Sequence, residues 1–196
     1  MCFFGLSGSD VSSKIERRET TLQAVPVTTE HWNLLCTLFA ASSGINGCWC
    51  MWPLRSPSTH RPDGEANRTA MQSLLRSGDS PGLIAIAGEE AVGWCALGPR
   101  YRYPQYEKAN TSSVVWAMPC IYVAPTATRR AVARVLIDAA VALAISNRAV
   151  ALEGPPPWWL PGDEGAIALA VDVFLENGFT QVGPGARMPE LRRMLA

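Results

Sequence analysis

The sequence predicts an α/β fold in which a mixed β-sheet is flanked by helices. The first observation is the order of its periodic segments. Two helical patterns are followed by strands and helices in the order β-β-β-α-β-α-β, and this alternation is typical of helices packed on a sheet. The second observation is composition. The chain has 196 residues, of which 48% are hydrophobic and 17% are charged, which suits a globular domain with a substantial core.

The N-terminal part of the chain is predicted to be helical after a polar arm. Residues 1–20 show no sustained period, and we expect a mobile arm before a single domain at residues 21–196. A first helix is predicted within residues 28–44 and a second within residues 64–78, because large apolar side chains recur at helical spacing in both. The turn-rich residues 45–63 between them carry tryptophan and methionine, so we expect this segment to pack against the domain.

The strands come mainly from the middle of the chain. Residues 81–99 predict a hairpin, and residues 114–125 predict a long buried strand. Pro119 lacks a backbone donor and therefore predicts a bulge or splay near residues 118–120. Residues 129–147 have the apolar face of a helix. The remaining predictions are a strand at residues 149–154, a loop, a helix at residues 166–178 and a closing strand or hairpin at residues 179–195.

Charge and cysteine usage argue against several functional classes. The formal net charge is zero, so no global field recruits nucleic acid or an anionic membrane. No apolar run approaches the ~20 residues that cross a bilayer, and we expect no signal peptide. Six cysteines lie mostly in apolar segments, which fits reduced, cytoplasmic thiols. The CWC sequence has no second Cys/His pair, and His31 and His60 stand alone, so we expect no metal site.

Several motifs together resemble the GNAT superfamily of N-acyltransferases. They are the order of elements, the strand, basic turn and helix at residues 122–140, and the late sequence VFLENGF at residues 173–179. The sequences CWCMW, VGWCALGPR and PCIYV also resemble a bacterial GNAT branch known only as acetyltransferases. The resemblance extends from about Thr21 to the C-terminus.

The resemblance implies a place for each part of an acyl thioester of coenzyme A. In the family this donor lies in a V between two splayed parallel strands, and an amine attacks it directly. The pantetheine arm would pair with residues 120–123, and the second strand of the V would be residues 150–153. The pyrophosphate would lie on the turn and helix start at residues 128–133. The implied cofactor-binding residues are Ile121, Val123, Thr128, Arg129, Arg130, Ala131, Val132, Ala133 and Arg134.

The phosphate turn departs from the family pattern, and two interpretations stay open. Thr128 and Ala131 stand where the family has Arg or Gln and a central Gly. Ala131 can still offer its N–H, because helical φ suits alanine, and the donor is then ordinary acyl-CoA. Alternatively the donor is the phosphopantetheine arm of an acyl carrier protein, whose acidic surface would face Arg129, Arg130 and Arg134. A carrier-bound donor would fit a role in specialised metabolism.

The chemistry needs a proton acceptor for the amine, a donor for the oxyanion and stabilisation of the leaving thiolate. Glu153, at the end of the second strand of the V, is the preferred general base, with His60 as a weaker candidate. A backbone N–H at the Pro119 bulge, such as that of Cys120, is the candidate oxyanion donor. Tyr122 is the candidate proton donor to the thiolate if its side chain points into the cleft. The family often places a tyrosine in the last helix for this role, and this chain has Leu175 there.

Tryptophans are predicted to line the acceptor pocket, which suits a flat or amphipathic small-molecule amine. Core packing is a simpler account of Trp94 and Trp116. The tryptophans assigned to the substrate are Trp49, Trp52, Trp94, Trp158 and Trp159. The last two lie in a proline-rich loop and are candidates for a lid. The leading hypothesis is an N-acyltransferase, and the alternative is an inactive GNAT-like module that binds a ligand or a partner. Apolar residues near the C-terminus could serve a homodimer, and the balanced charge disfavours tRNA-dependent transfer.

Overall fold

The computed structural model describes residues 21–41, 47–55, 63–104, 106, 115–125, 127–155, 171–182 and 190–195. The strands are β1 (Leu22–Pro26), β2 (Gly82–Ala87), β3 (Glu90–Pro99), β4 (Val115–Val123), β5 (Ala151–Glu153), β6 (Thr180–Val182) and β7 (Glu190–Met194). The helices are α1 (Trp32–Ala40), α2 (Gly64–Arg76) and α3 (Arg129–Ser146), and residues 171–176 are helical and are called α4. The predicted arm at residues 1–20 lies outside the described residues.

The strands form one seven-stranded sheet in the order β1-β2-β3-β4-β5-β7-β6. The β4–β5 pair is parallel, and the other pairs are antiparallel. The predicted mixed sheet is therefore confirmed, together with the 81–99 hairpin and the closing hairpin. Strand β1 was not predicted, and it pairs with β2 along five residues at the sheet edge.

Helices cover both faces of the sheet. Helices α1 and α2 pack on one side, where Leu35, Phe39, Met71 and Trp94 belong to one buried cluster. Helices α3 and α4 pack on the other side, around a second cluster that includes Leu136. These two sides are called the α1/α2 face and the α3/α4 face. No helix in the described ranges is long and apolar enough to span a membrane.

Local sequence signals explain where α2 begins and ends. Asp63 caps its N-terminus, because its Oδ1 accepts a hydrogen bond from the Ala66 N–H at 3.0 Å. Gly78 follows the helix with φ of +79°, a left-handed conformation that glycine adopts without steric cost. Met71 and Leu75 lie one turn apart and are both buried, as their spacing predicts.

The segment that contains CWCMW packs into the core, as predicted. Trp49 and Cys50 have φ values of +49° and +50°, which are strained for residues with a side chain. Packing offsets this strain: the Trp49 ring stacks on Trp32 at 5.6 Å and meets Phe39 edge-on at 5.4 Å between centroids. The Arg68 guanidinium lies 5.8 Å from the Trp49 ring centroid. This segment is thereby fixed on the α1/α2 face.

Gly93 of β3 sets how closely α3 approaches the sheet. A Cβ at this position would lie 2.5 Å from Val132 Cγ1 and 3.1 Å from Leu136 Cδ1. Both side chains belong to α3, so the helix start rests directly on the bare backbone of Gly93.

Candidate active site

Strands β4 and β5 form a short parallel ladder and then diverge. Their ladder has three pairs, the last of which joins Ala117 to Glu153, where β5 ends. Strand β4 continues along β3 until Val123 pairs with Gly93. From Met118 onward, the β5 side of β4 therefore has no ladder partner within the described ranges. This open edge forms one arm of the predicted V, and unpaired backbone groups there can accept an amide-bearing ligand.

A bulge marks the point where the strands diverge. On β3, Ala96 pairs with Cys120 and Gly98 pairs with Ala117. One residue of β3 is therefore opposite both Met118 and Pro119, which is the geometry of a β-bulge. The bulge predicted from Pro119 is confirmed. Which backbone N–H there serves an oxyanion stays a prediction.

Helix α3 begins directly beyond the open end of β4. Its first described backbone bond runs from the Val132 N–H to the Thr128 carbonyl at 3.1 Å. The N–H groups of Arg129, Arg130 and Ala131 precede it, and a helix leaves such groups free to bind an anion. Ala131 is exposed while Val132 is buried, so the Ala131 methyl group faces away from the sheet. The missing turn glycine therefore leaves the helix start intact.

The three basic residues predicted to face a partner differ in their surroundings. The Arg130 guanidinium forms an ion pair with Glu176, the last residue of α4, and both side chains are about half exposed. Arg129 and Arg134 are exposed and have no ion pair with any described residue. Arg130 thus links α3 to the end of α4, which leaves two of the three side chains available to an incoming anion.

Glu153 lies at the crotch of the V with two guanidinium groups beside it. Its Oε2 is 3.1 Å from Arg100 Nε, and its Oε1 is 3.9 Å from Arg192 Nη1. Its side chain is 14% exposed. Burial raises the pKa of this carboxyl group, and the two arginines oppose that rise. Leu152 belongs to the α3/α4 cluster, so Glu153 points to the α1/α2 face. Its role as the base stays a prediction.

The other two candidate catalytic side chains, Tyr122 and Cys120, lie on the same α1/α2 face. The Tyr122 hydroxyl is buried and has no hydrogen-bond partner in the described part of the chain. Cys120 is buried, and its sulfur accepts a hydrogen bond from the Cys50 thiol at 2.8 Å. Burial raises the pKa of the Cys50 thiol, which keeps it from becoming a thiolate nucleophile.

Residues that follow β3 complete the site and were missed from the sequence. The Tyr106 hydroxyl donates a hydrogen bond to the Gly154 carbonyl at 2.9 Å. The Arg100 guanidinium lies 5.8 Å from the centroid of the Tyr106 ring, and the Tyr103 ring lies 6.2 Å away. The available signal was the concentration of tyrosine and arginine in RYRYPQY, which is unusual for a solvent loop.

The tryptophans assigned to the acceptor are used in the core. Trp49 and Trp52 are each 4% exposed, and Trp94 is fully buried. Packing accounts for all three, and their contact with an acceptor stays a prediction. Trp158 and Trp159 lie outside the described residues.

The structure describes one of the two histidines, His31, which has a structural role. His31 Nδ1 accepts a hydrogen bond from the Thr28 N–H at 3.1 Å, so it caps the segment before α1. His60, the weaker base candidate, lies outside the described residues. Among the residues that the structure describes, no group of three or more His, Cys, Asp or Glu could hold a metal ion.

Comparisons with known proteins agree on one family. The acetyltransferase (GNAT) family matches residues 48–157. No curated protein matches the sequence. Similar solved structures include PaiA N-acetyltransferase from Thermoplasma acidophilum with coenzyme A, at 10% identity and a TM-score of 0.55, covering 89% of this chain and 99% of that one. An N-acetyltransferase from Staphylococcus aureus Mu50 has 14% identity and a TM-score of 0.55, with coverages of 90% and 100%. AAC(6')-Ib with ribostamycin and coenzyme A has 14% identity and a TM-score of 0.59, with coverages of 89% and 93%.

Proposed function

Because the chain belongs to the GNAT family of acetyltransferases, we propose that it transfers an acyl group from acyl-CoA to the amine of a small molecule. The observation that carries this proposal is the open edge of β4, which leads from the bulge at Pro119 to the free N–H groups at the start of α3. Similar structures bind coenzyme A, and one binds ribostamycin with it, which supports this donor and a small-molecule acceptor.

The donor would follow this edge. From Pro119 to Val123, four steps of roughly 3.3 Å give about 13 Å of strand for the pantetheine arm. Its amides would pair with backbone groups of β4, as an added strand does. The pyrophosphate would meet the N–H groups of Arg129, Arg130 and Ala131, with the Arg129 side chain adding charge. The thioester would then lie at the crotch of the V.

The acceptor amine would approach from the α1/α2 face. Its neutral nitrogen attacks the thioester carbon, and the carbonyl oxygen gains negative charge near the bulge, where the N–H of Cys120 or Ile121 can donate to it. Glu153 takes the proton that the nitrogen loses. Burial favours the protonated form of Glu153, whereas Arg100 favours its ionised form. These opposing influences suit a carboxyl group that must gain a proton and then release it. Tyr122 is a candidate donor to the thiolate.

A carrier-bound donor is a second form of the same proposal. Exposed Arg129 and Arg134 favour it, because a carrier protein presents acidic residues around one phosphate. The pairing of Arg130 with Glu176 reduces the number of arginines free for such a partner. A role in specialised metabolism would accompany this form.

Thiol release tests the proposal and separates its alternatives. Acetyl-CoA, and separately an acetylated holo carrier protein, are incubated with a panel of amines that includes aminoglycosides, and the released thiol is measured. We expect release that depends on both enzyme and amine, and its loss in Glu153→Gln. Release from the carrier alone would assign the donor to the carrier. No release with any donor and amine would favour the inactive binding module.

A further inference from the structure

We propose that the Tyr106 hydroxyl contacts the sulfur of the donor thioester and stabilises the departing thiolate by a hydrogen bond. This inference rests on the proposed function and names a residue for its last step. The observation that carries it is that a phenol from the segment after β3 is anchored at the crotch of the V, where that sulfur would lie.

The position of the hydroxyl follows from its partner. Gly154 is the first residue after β5, whose last residue, Glu153, forms the final parallel pair with β4. A hydroxyl bonded to the Gly154 carbonyl at 2.9 Å is therefore one residue beyond the point of divergence. Burial is the largest influence on the pKa of Tyr106, and Glu153 from β5 and Cys120 from β4 also affect it. Both arms of the V are thus close to this phenol.

Two neighbouring side chains pack near the Tyr106 ring. The Arg100 guanidinium lies 5.8 Å from its centroid and also forms the ion pair with Glu153. The centroids of the Tyr103 and Tyr106 rings are 6.2 Å apart. Rotation about its C–O bond can redirect the Tyr106 O–H from the carbonyl to a ligand atom without moving the ring. The donor is therefore preorganised, which is what makes such a hydrogen bond effective in catalysis.

The departing thiolate needs a hydrogen-bond donor, and α4 offers none at the position where the family often has a tyrosine. Leu175 of α4 is 39% exposed and has no polar group. Burial and the nearby carboxylate raise the pKa of Tyr106, so the phenol keeps its proton. Tyr106 therefore acts as a hydrogen-bond donor and not as an acid that ionises, which differs from proton donation by a helix tyrosine.

The step balances without an added reactant. The nitrogen–carbon bond forms, and the carbon–sulfur bond breaks with its electron pair on sulfur. The sulfur accepts a hydrogen bond from the Tyr106 O–H. The proton lost by the nitrogen passes to Glu153 and then neutralises the thiolate as it leaves, giving an amide and a thiol.

The test measures the thiol pKa of bound coenzyme A by the ultraviolet absorbance of the thiolate, with the desulfo-coenzyme A complex as blank. We expect the pKa in wild type to lie below that of free coenzyme A. In Tyr106→Phe it should be about one unit higher than in wild type, since a hydrogen bond to a charged group changes an ionisation constant about tenfold. Tyr103→Phe is the matched control, because it removes one oxygen from the same segment, and we expect no shift.

Each outcome decides the proposal. Equal thiol pKa values in wild type and Tyr106→Phe overturn it, and so does a shift seen in Tyr122→Phe instead. A bound thiol pKa in wild type at or above that of free coenzyme A also overturns it, even if Tyr106→Phe fails to fold. Calorimetry with desulfo-coenzyme A separates these results from failure of the proposed function. If wild type binds neither coenzyme A nor its desulfo form, the acyl-CoA donor is wrong and the inference falls with it.

Discussion

Replacing Gly93 by alanine tests whether the sheet positions the start of α3. The added Cβ would lie 2.5 Å from Val132 Cγ1, whereas carbon atoms pack best at about 3.5–4.0 Å. The helix must therefore move by about 1 Å or the strand must shift, which costs about 1–3 kcal/mol as overpacking does. Glycine-to-alanine changes at unstrained sites are usually stabilising, so the sign of the effect is diagnostic.

The assay is urea unfolding of Gly93→Ala, Val132→Ala and the double variant. Val132→Ala alone should cost roughly 1.5–2 kcal/mol, at about 0.8 kcal/mol for each buried methyl group lost. Val132→Ala removes the Cγ1 atom that the new Cβ at position 93 would meet. The double variant should therefore lose less stability than the sum of the two single losses, by about 1 kcal/mol or more. A Gly93→Ala stability within about 0.5 kcal/mol of wild type, or strictly additive effects, would show that Gly93 does not set the position of α3.

Three further predictions concern the turn, the base and the thiols. Ala131→Gly should change coenzyme A affinity less than about twofold, because the Ala131 methyl group is exposed, and should lower stability by up to ~1 kcal/mol, because glycine disfavours a helix. Calorimetry measures the affinity and urea unfolding the stability. Much tighter coenzyme A binding by the variant would contradict the prediction. Glu153→Gln should lower kcat by about 10²–10⁴-fold. In wild type, kcat/KM should fall as pH drops through the Glu153 pKa, which burial raises, so this loss begins above the usual carboxyl range and is absent from the variant. Cys50, Cys95 and Cys120 are buried, so iodoacetamide should label these three thiols only after unfolding. Mass spectrometry showing native labelling of any of the three would contradict their burial.

Local periodicity was enough to predict most elements, because helix and strand faces repeat over short distances. The spacing of Met71 and Leu75 predicts the buried face of α2, and Pro119 alone predicts the bulge in β4. Strand β1 was missed because LQAVP is short and ends in proline, and its identity as a strand depends on pairing with β2, about sixty residues later.

The candidate site could be predicted only in part, because its contacts join distant residues. The resemblance to a family gave the open edge of β4 and the start of α3. The ion pair between Arg100 and Glu153 joins residues 53 positions apart, since 153 − 100 = 53, and no local pattern predicts it. The same holds for the hydrogen bond from Tyr106 to Gly154. The packing of Trp49 against Trp32 and Phe39 could not be predicted from the sequence either, because these contacts join separate segments.

Hydrogen–deuterium exchange with and without coenzyme A shows whether the open edge of β4 and the start of α3 hold the acyl donor. We predict slower exchange for the amides of residues 120–123 and 129–131 in the complex. The exposed strand β6 is an internal control that should not change. Saturating coenzyme A that slows exchange elsewhere, and leaves both of these segments unchanged, would contradict the claim.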